Sequence, residues 1–201
     1  SAVLQGKQVV SSMLSYSREE TGPVRPITEV VRDTADLLST EFLSGITLQL
    51  ELDEATPMVD VPSGRIEQIL LNLIVNASDA MDGSGTLKIV VHPAGREATA
   101  LCLLTPVAAS QYVALAVADT GPGISPTIAE RIFEPFFTTK DVGNDRGTGL
   151  GLSMVYTIAE RDGMGIALHS VPGQGATFTI YIPVVHDPVR ETPTDSGIAG
   201  A

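Results

Sequence analysis

Apolar residues between positions 66 and 81 recur at the spacing of a helix that packs a broad face against a core. The pattern predicts a helix over residues 63–81, which ends at the glycine-containing turn 83–85. The other positions form a narrow polar stripe, spaced four, four and three apart on one helix face: Gln68, Asn72, Asn76 and Asp79. Because buried polar side chains need partners, this stripe faces either water or a polar ligand.

The same patterns divide the rest of the chain into elements. Helical spacing predicts further helices over residues 26–42, 125–133 and 150–161. Strict alternation predicts a strand over residues 47–52, with Leu48, Leu50 and Leu52 inward. Further strands are predicted over residues 86–92, 111–118, 166–170 and 176–182. Residues 93–110 are predicted as a loop or ragged hairpin extension, and residues 135–149 as a mobile loop.

This order of elements predicts an α/β two-layer sandwich. Strands that follow one another directly favour antiparallel pairing, and the helices can all cover one side. The expected architecture is a mixed, mostly antiparallel five-stranded sheet with three helices on one face. The domain is expected to span residues 23–184, after the end of an upstream helix (1–22) and before a disordered tail or linker (185–201).

Composition narrows the class of protein. The chain has 201 residues, of which 43% are hydrophobic, and no apolar run approaches the roughly 20 residues that span a bilayer. A net charge of −12 argues against a nucleic-acid surface. The single cysteine, Cys102, excludes an internal disulfide and a cysteine-cluster metal site. We therefore expect a cytoplasmic domain without membrane contact.

The first glycine-rich stretch is DTGPGI, residues 119–124, at the end of a predicted strand. Gly121 and Gly123 would let the backbone turn sharply and approach a ligand. Asp119 is suited to accept a hydrogen bond from an exocyclic amine such as that of adenine. Glycine turns after strands are common, so this motif alone is weak.

The second stretch is GTGLGL, residues 147–152, which opens a helix. Its backbone amides at a helix N-terminus would form a phosphate cradle, although a flexible hinge has the same composition. The preceding FEPFFTTK, residues 133–140, places aromatic residues beside the mobile loop, with Phe133 also suited to ordinary core packing and Lys140 to a phosphate or to solvent. The dinucleotide-binding fingerprint and the GxxxxGK[ST] loop do not match.

In this order, NLIVNASDAM, DTGPGI, FEPFFTTK and GTGLGL resemble the N, G1, F and G2 boxes of sensor histidine kinases. The resemblance is to their catalytic, ATP-binding domain, in the wider family of gyrase, Hsp90 and MutL ATPases, and covers about residues 24–183. It implies the Bergerat-type ATP-binding fold, with ATP beneath a flexible lid and Mg²⁺ as the metal ion.

The resemblance also implies roles for individual residues. Asn76 would bind Mg²⁺, Asn72 would support the phosphates, and Asp119 would read the adenine amine, with Thr177 near it through water. The implied ATP-binding set is Asn72, Asn76, Asp79, Asp119, Gly121, Gly123, Ile124, Phe133, Lys140, Gly147, Thr148, Gly149, Leu150, Gly151, Leu152 and Thr177.

This sequence departs from the family pattern at three places. Asp79 stands where many of these kinases carry Lys or Arg, Gly163-Met164 replaces Gly-Gly, and Ala176-Thr177 replaces Gly-Thr. The last of these changes keeps the threonine.

Asn72 discriminates between reaction classes. The hydrolysing relatives carry a glutamate there that activates water, whereas asparagine cannot accept a proton at neutral pH. This favours phosphoryl transfer to a nucleophile on a partner. The resemblance implies that this nucleophile is a histidine of an upstream dimerisation domain, within a homodimer, and that a response-regulator receiver domain receives the phosphoryl group next. His92, His169 and His186 lack the helical His-Glu or His-Asp context of that acceptor, so the chain is not expected to phosphorylate itself.

Three alternatives are open at this point. The chain could be a degenerate nucleotide-binding or docking module without kinase activity, which the intact boxes disfavour. A gyrase- or MutL-type ATPase is disfavoured by Asn72. A serine kinase of the anti-sigma type shares the boxes but is disfavoured by the predicted helix end at residues 1–20.

Overall fold

A computed structural model of the chain describes residues 22–39, 43–139 and 149–184. The predicted helix end at residues 1–21, the residues 40–42, the predicted loop residues 140–148 and the predicted tail lie outside these ranges. All structural statements below concern the described residues.

The described part is a five-stranded sheet with helices on one side. The helices are α1 (Ile27–Ser39), α2 (Ser63–Ala80), α3 (Pro126–Ala129) and α4 (Gly151–Arg161), with one 3₁₀ turn at Arg96–Thr99. The strands are β1 (Ile46–Leu52), β2 (Gly85–Gly95), β3 (Gln111–Asp119), β4 (Gly165–Ser170) and β5 (Ala176–Pro183). Their spatial order is β1-β2-β3-β5-β4. β1 pairs with β2 in parallel and the other pairs are antiparallel, which confirms the predicted mixed sheet.

The core lies between α2 and the inward face of the sheet. Alternate residues of β3, namely Val113, Leu115 and Val117, are almost fully buried in the same cluster as Ile69 and Leu73 of α2. Asp119 is the next member of that inward row, so the alternation that buries the core also carries a carboxylate to the helix side of the sheet.

Three details differ from the sequence prediction. β2 continues to Gly95, through Pro93, whereas a loop was predicted from residue 93. Helix α3 ends at Ala129, four residues earlier than predicted. Leu50 remains 39% exposed, because β1 is an outer strand that α1 covers incompletely, with Arg32 and Asp36 beside the gap.

The segment between β2 and β3 lies along the outer side of β4. Leu104 forms an antiparallel bridge with Ile166, and the backbone N–H groups of Leu103 and Leu104 donate to the Ile166 carbonyl. The Tyr112 hydroxyl accepts from Ala109 N and donates to Val107 O, at 2.9 Å each. The predicted ragged extension is therefore an ordered cover for the β4 edge.

Helices α2 and α4 lie side by side and are joined at both ends. Arg65 in the first turn of α2 forms an ion pair with Asp162, which follows α4. At the other end, Gly151 at the start of α4 faces Asn72 and Asn76 of α2. The Asn72 and Asn76 part of the polar stripe therefore faces the beginning of α4 rather than open solvent.

Candidate functional site

Asp119 forms a polar corner where β3 ends. Its Oδ1 accepts hydrogen bonds from the backbone N–H groups of Gly121 at 2.8 Å and Ala176 at 3.4 Å. Burial raises the pKa of the Asp119 carboxyl above its usual range, and these two hydrogen bonds partly oppose the rise. The bonds engage Oδ1, which leaves Oδ2 to accept from a ligand amine.

Two glycines let the loop 119–124 pass through a narrow space. A Cβ on Gly121 would lie 2.9 Å from Asp119 Oδ1 and 3.2 Å from the Ala80 carbonyl oxygen, at the end of α2. Gly123 has φ +72° and a Cβ there would lie 2.5 Å from the Val171 carbonyl oxygen. The backbone wall predicted at these glycines is thus packed between α2 and the β4–β5 turn.

The amide pair Asn72 and Asn76 lies at the start of α4. Asn72 Nδ2 donates to the Gln68 carbonyl at 2.9 Å, which fixes the amide and directs Oδ1 towards Gly151. A Cβ on Gly151 would lie 3.3 Å from Asn72 Oδ1 and 3.3 Å from Asn76 Nδ2. The first turn of α4 therefore approaches both amides through bare backbone, as a phosphate site at a helix N-terminus requires.

Asn76 is the incompletely satisfied member of the pair. Its Nδ2 is buried and has no hydrogen-bond partner among the described residues. Such a donor is satisfied when a ligand oxygen arrives, and the amide oxygen is of the type that Mg²⁺ prefers. No group of three His, Cys, Asp or Glu that could hold a metal occurs within the described ranges. A hard cation here would therefore depend on Asn76, phosphate oxygens and water, and the residues fit that arrangement.

The aromatic residues of 133–137 separate into packed and exposed members. Phe133 packs against Tyr156 of α4, with ring centroids 5.5 Å apart, and the Arg131 guanidinium lies 4.5 Å from the Phe137 ring centroid. Phe136 is 73% exposed, with φ +66°. Its N–H donates to the Gly149 carbonyl at 2.9 Å, so this segment is fastened to the residues that open α4.

Thr177 belongs to neither the Asp119 group nor the Asn72–Asn76 group. In the β3–β5 register Thr177 pairs with Ala118, and its neighbours Ala176 and Phe178 are the inward residues of β5. Thr177 therefore points to the sheet face opposite Asp119, and the expectation that it lies near Asp119 is wrong. Ala176 is the β5 residue that contacts this carboxylate.

The remaining candidates have less specific surroundings. Ile124 ends the loop of Asp119, Leu152 packs against the core, and Leu150 is 39% exposed before α4. Asp79 is half-buried on α2 and has an interaction within the protein. Their contacts with a ligand stay predictions, and Lys140, Gly147 and Thr148 lie outside the described residues.

Sequence reasoning missed Ser170. Its hydroxyl accepts from Ile124 N and donates to the Gly175 carbonyl, both at 2.8 Å. The alternation Ile166, Leu168, Ser170 did place a hydroxyl on the inward row at the end of β4. This alternation shows that Ser170 faces the core side of the sheet, but only the strand order shows that Ser170 lies near Asp119.

Comparison with known proteins gives one family. Residues 62–186 match the family described as "Histidine kinase-, DNA gyrase B-, and HSP90-like ATPase". The chain is 39% identical over 181 residues to "Sensor kinase CckA" of Brucella abortus, which covers 87% of this chain and 18% of that protein. The chain thus spans less than a fifth of that relative.

Solved structures agree with the fold. A full-length ShkA in complex with AMPPNP matches with a TM-score of 0.64 and 26% identity, covering 93% of this chain and 37% of that one. The nucleotide-free catalytic domain of the histidine kinase ThkA matches with a TM-score of 0.60 and 30% identity, covering 78% and 93%. No described helix is long and apolar enough to cross a membrane.

Proposed function

The chain belongs to the histidine kinase-, DNA gyrase B- and HSP90-like ATPase family, and we propose that it is the catalytic domain of a sensor kinase that phosphorylates histidine. The chain itself is an ATP-binding catalytic domain of the sensor histidine kinase type. In the whole protein it would bind Mg·ATP and present the γ-phosphate to a histidine of the dimerisation domain. Multidomain sensor kinases among its relatives support such a partner domain.

The observation that carries this proposal is that two different polar corners lie along helix α2, one beside Ala80 at its end and one beside Asn72 and Asn76. Asp119 offers a buried carboxylate oxygen to a base amine, and Asn72 and Asn76 offer amides at the start of α4. An adenine nucleotide has matching groups at its two ends, an exocyclic amine and a chain of phosphates.

Asn72 supports transfer over hydrolysis. Its Nδ2 is engaged with the Gln68 carbonyl, and an amide oxygen does not take a proton from water at neutral pH. The described residues therefore act by binding and orientation, which is how phosphoryl transfer is generally catalysed. A Mg²⁺ ion held by Asn76 would neutralise charge developing on the phosphates.

The phosphate acceptor is proposed to lie outside the described residues. His92 of β2 and His169 of β4 are exposed, and the alternation of their strands places both on the sheet face opposite the helices. Neither lies on the nucleotide side. We further propose that the whole protein is a homodimer in the cytoplasm and passes the phosphoryl group to a response-regulator aspartate.

The first test is calorimetric titration of the chain with ADP and with AMPPNP, each with and without Mg²⁺. We expect both nucleotides to bind, with Mg²⁺ strengthening the binding of the triphosphate analogue most. Absence of binding at millimolar nucleotide would instead favour a docking module without kinase activity.

The second test concerns the acceptor and uses the full-length protein with radiolabelled ATP. We expect an acid-labile label, as for phosphohistidine, and no label on the isolated chain. An acid-stable label would favour the serine kinase alternative.

A further inference from the structure

An unbroken series of hydrogen bonds runs from Ile124 to Asp119 through the ends of β4 and β5. The Ile124 N–H donates to Ser170 Oγ, which donates to the Gly175 carbonyl, at 2.8 Å each. That carbonyl and the N–H of Ala176 belong to one peptide group, and this N–H donates to Asp119 Oδ1 at 3.4 Å. The loop 119–124 is thereby tied at its first and last residues through a single side chain.

We propose that Ser170 is a positioning residue for base recognition, which holds the Asp119 carboxylate in place through the Gly175–Ala176 peptide group. This inference rests on the proposed function, in which Asp119 accepts the base amine. Hydrogen bonds in such a series polarise one another, so the hydroxyl both orients the peptide group and strengthens its N–H as a donor.

Other contacts in this corner hold the backbone but do not replace the hydroxyl. Gly173 N donates to the Pro122 carbonyl at 2.7 Å, which fastens the middle of the loop. Ala176 has no hydroxyl, and Thr177 points to the other face of the sheet. Among the described residues at this corner, Ser170 supplies the side-chain link between the loop and the peptide group that contacts Asp119.

Loss of the hydroxyl would therefore affect the carboxylate at a distance. The Ile124 N–H and the Gly175 carbonyl would both lose a partner, and the Gly175–Ala176 peptide group could rotate. Asp119 Oδ1 would then be held by the Gly121 N–H alone, so the carboxylate could take orientations that do not accept the base amine. The predicted defect is in nucleotide binding through Asp119 and not in the phosphate end of the site.

The decisive experiment is a double-mutant cycle of Ser170→Ala and Asp119→Asn, with AMPPNP affinity in Mg²⁺ measured by calorimetry. We expect Ser170→Ala alone to weaken binding about tenfold, as for loss of one well-placed hydrogen bond. In the Asp119→Asn background, Ser170→Ala should change affinity by less than about twofold, because the carboxylate through which Ser170 acts is already replaced. Equal effects in both backgrounds would show a merely structural role and would overturn the proposal.

Two variants accompany the cycle. Ser125→Ala removes a hydroxyl next to Ile124 whose hydrogen bond among the described residues is to Thr127 Oγ1, at 2.9 Å, and this variant should leave affinity unchanged. Ser170→Thr keeps the Oγ and should retain most of the affinity. If Ser170→Ala binds like the wild type, or if Ser170→Thr is as weak as Ser170→Ala, the assignment is wrong.

A measurement on the wild type covers the case in which Ser170→Ala does not fold. The amide protons of Ile124 and Ala176 should exchange slowly with solvent in the free protein, and rapid exchange at Ile124 would contradict the series of bonds. Failure of the proposed function is distinct from failure of this inference. Wild-type protein that binds neither ADP nor AMPPNP defeats both, whereas normal binding with an unaffected Ser170→Ala variant defeats the inference alone.

Discussion

The two ends of the proposed site, a base corner around Asp119 and a phosphate end around Asn72 and Asn76, differ in how their polar groups are satisfied. At the base corner, Asp119 Oδ1, Ile124 N and the Gly175 carbonyl all have partners within the protein. At the phosphate end, Asn76 keeps a buried amide nitrogen without a partner in the described chain. The protein therefore builds the base corner by itself and leaves part of the phosphate end for the ligand to complete.

This difference separates stability from binding. A substitution that breaks the contacts already made at the base corner should lower stability as well as affinity. A substitution at Asn76 removes no protein contact of that nitrogen, so it should lower affinity with little effect on stability. The predictions below start from this contrast, beginning with the largest expected effect.

Gly175→Ala should damage the base corner most. At φ +85° a Cβ would lie 1.9 Å from the Asp119 carbonyl oxygen, so the backbone must move. We expect a loss of about 2–4 kcal/mol in the free energy of unfolding, measured with urea, together with a large loss of ADP affinity.

Gly173→Ala provides the matched control in the same turn. Gly173 also has a positive φ, +81°, but a Cβ there would have no atom within 4 Å. It should cost only the conformational strain, about 1 kcal/mol, and leave ADP affinity unchanged. Similar unfolding free energies for the two variants would argue against close packing at Gly175.

Asn76→Ala should break the phosphate end without unfolding the protein. Loss of contacts with a phosphate and a cation should weaken Mg·AMPPNP binding about a hundredfold, with an unchanged melting temperature. Calorimetry and differential scanning fluorimetry measure the two quantities. Gln68→Ala, on the same helix face, is the control, and unchanged affinity for Asn76→Ala would remove this residue from the site.

Asp119→Asn should weaken nucleotide binding about tenfold at neutral pH without lowering stability. Burial raises the pKa of the folded carboxyl above that of the unfolded chain. The folded state therefore holds its proton more tightly, and the stability contributed by this group falls as the pH rises from the unfolded pKa through the folded one. At neutral pH the wild type carries a desolvated charge that asparagine removes.

The raised pKa of the Asp119 carboxyl also predicts a pH dependence of nucleotide binding. On acidification, wild-type affinity for ADP should fall at a higher pH than the ordinary aspartate pKa of 3.8, because Asp119 becomes protonated. The Asp119→Asn variant should lack this step. Identical profiles for the two proteins, recorded over the range in which both remain folded, would contradict the role of the carboxylate.

Thr177→Val should have the smallest effect. The threonine side chain lies on the sheet face opposite Asp119, and valine has the same shape on a strand. AMPPNP affinity should stay within about twofold of the wild type. A tenfold loss would support the sequence-based placement of Thr177 beside the base instead.

Local patterns were sufficient to predict much of the fold. β5 alternates apolar and polar residues, β2 and β3 are rich in apolar residues, and α2 repeats its apolar residues at helical spacing, so their type and approximate position follow from the sequence. The extension of β2 through Pro93 was not evident because proline usually ends a strand. Beyond Val91 no β1 residue pairs with β2, so proline lies where the sheet tolerates it.

The site was predictable where its residues share one element. Asn72 and Asn76 lie one turn apart on α2, and Asp119, Gly121 and Gly123 lie in one loop, so spacing brought each group together. The contact between Asp119 and Ala176 spans 57 positions and depends on the pairing of β3 with β5. The apolar alternation of Ala176, Phe178 and Ile180 does mark Thr177 as an outward residue, but only the pairing of β3 with β5 shows that Ala176 lies beside Asp119.

The bridge between Leu104 and Ile166 covers one edge strand of the sheet, β4, so the two edges differ in how readily they could pair with another chain. It occupies main-chain groups of β4 that would otherwise offer a template to another strand. Of the two outer strands in the described chain, β1 is the one without such a cover, and its Glu51 pairs with Lys88 of the next strand. In concentrated samples, edge-to-edge aggregation would therefore begin at β1. A lysine added to that strand should suppress it, because a charged side chain on an edge strand hinders pairing with another chain.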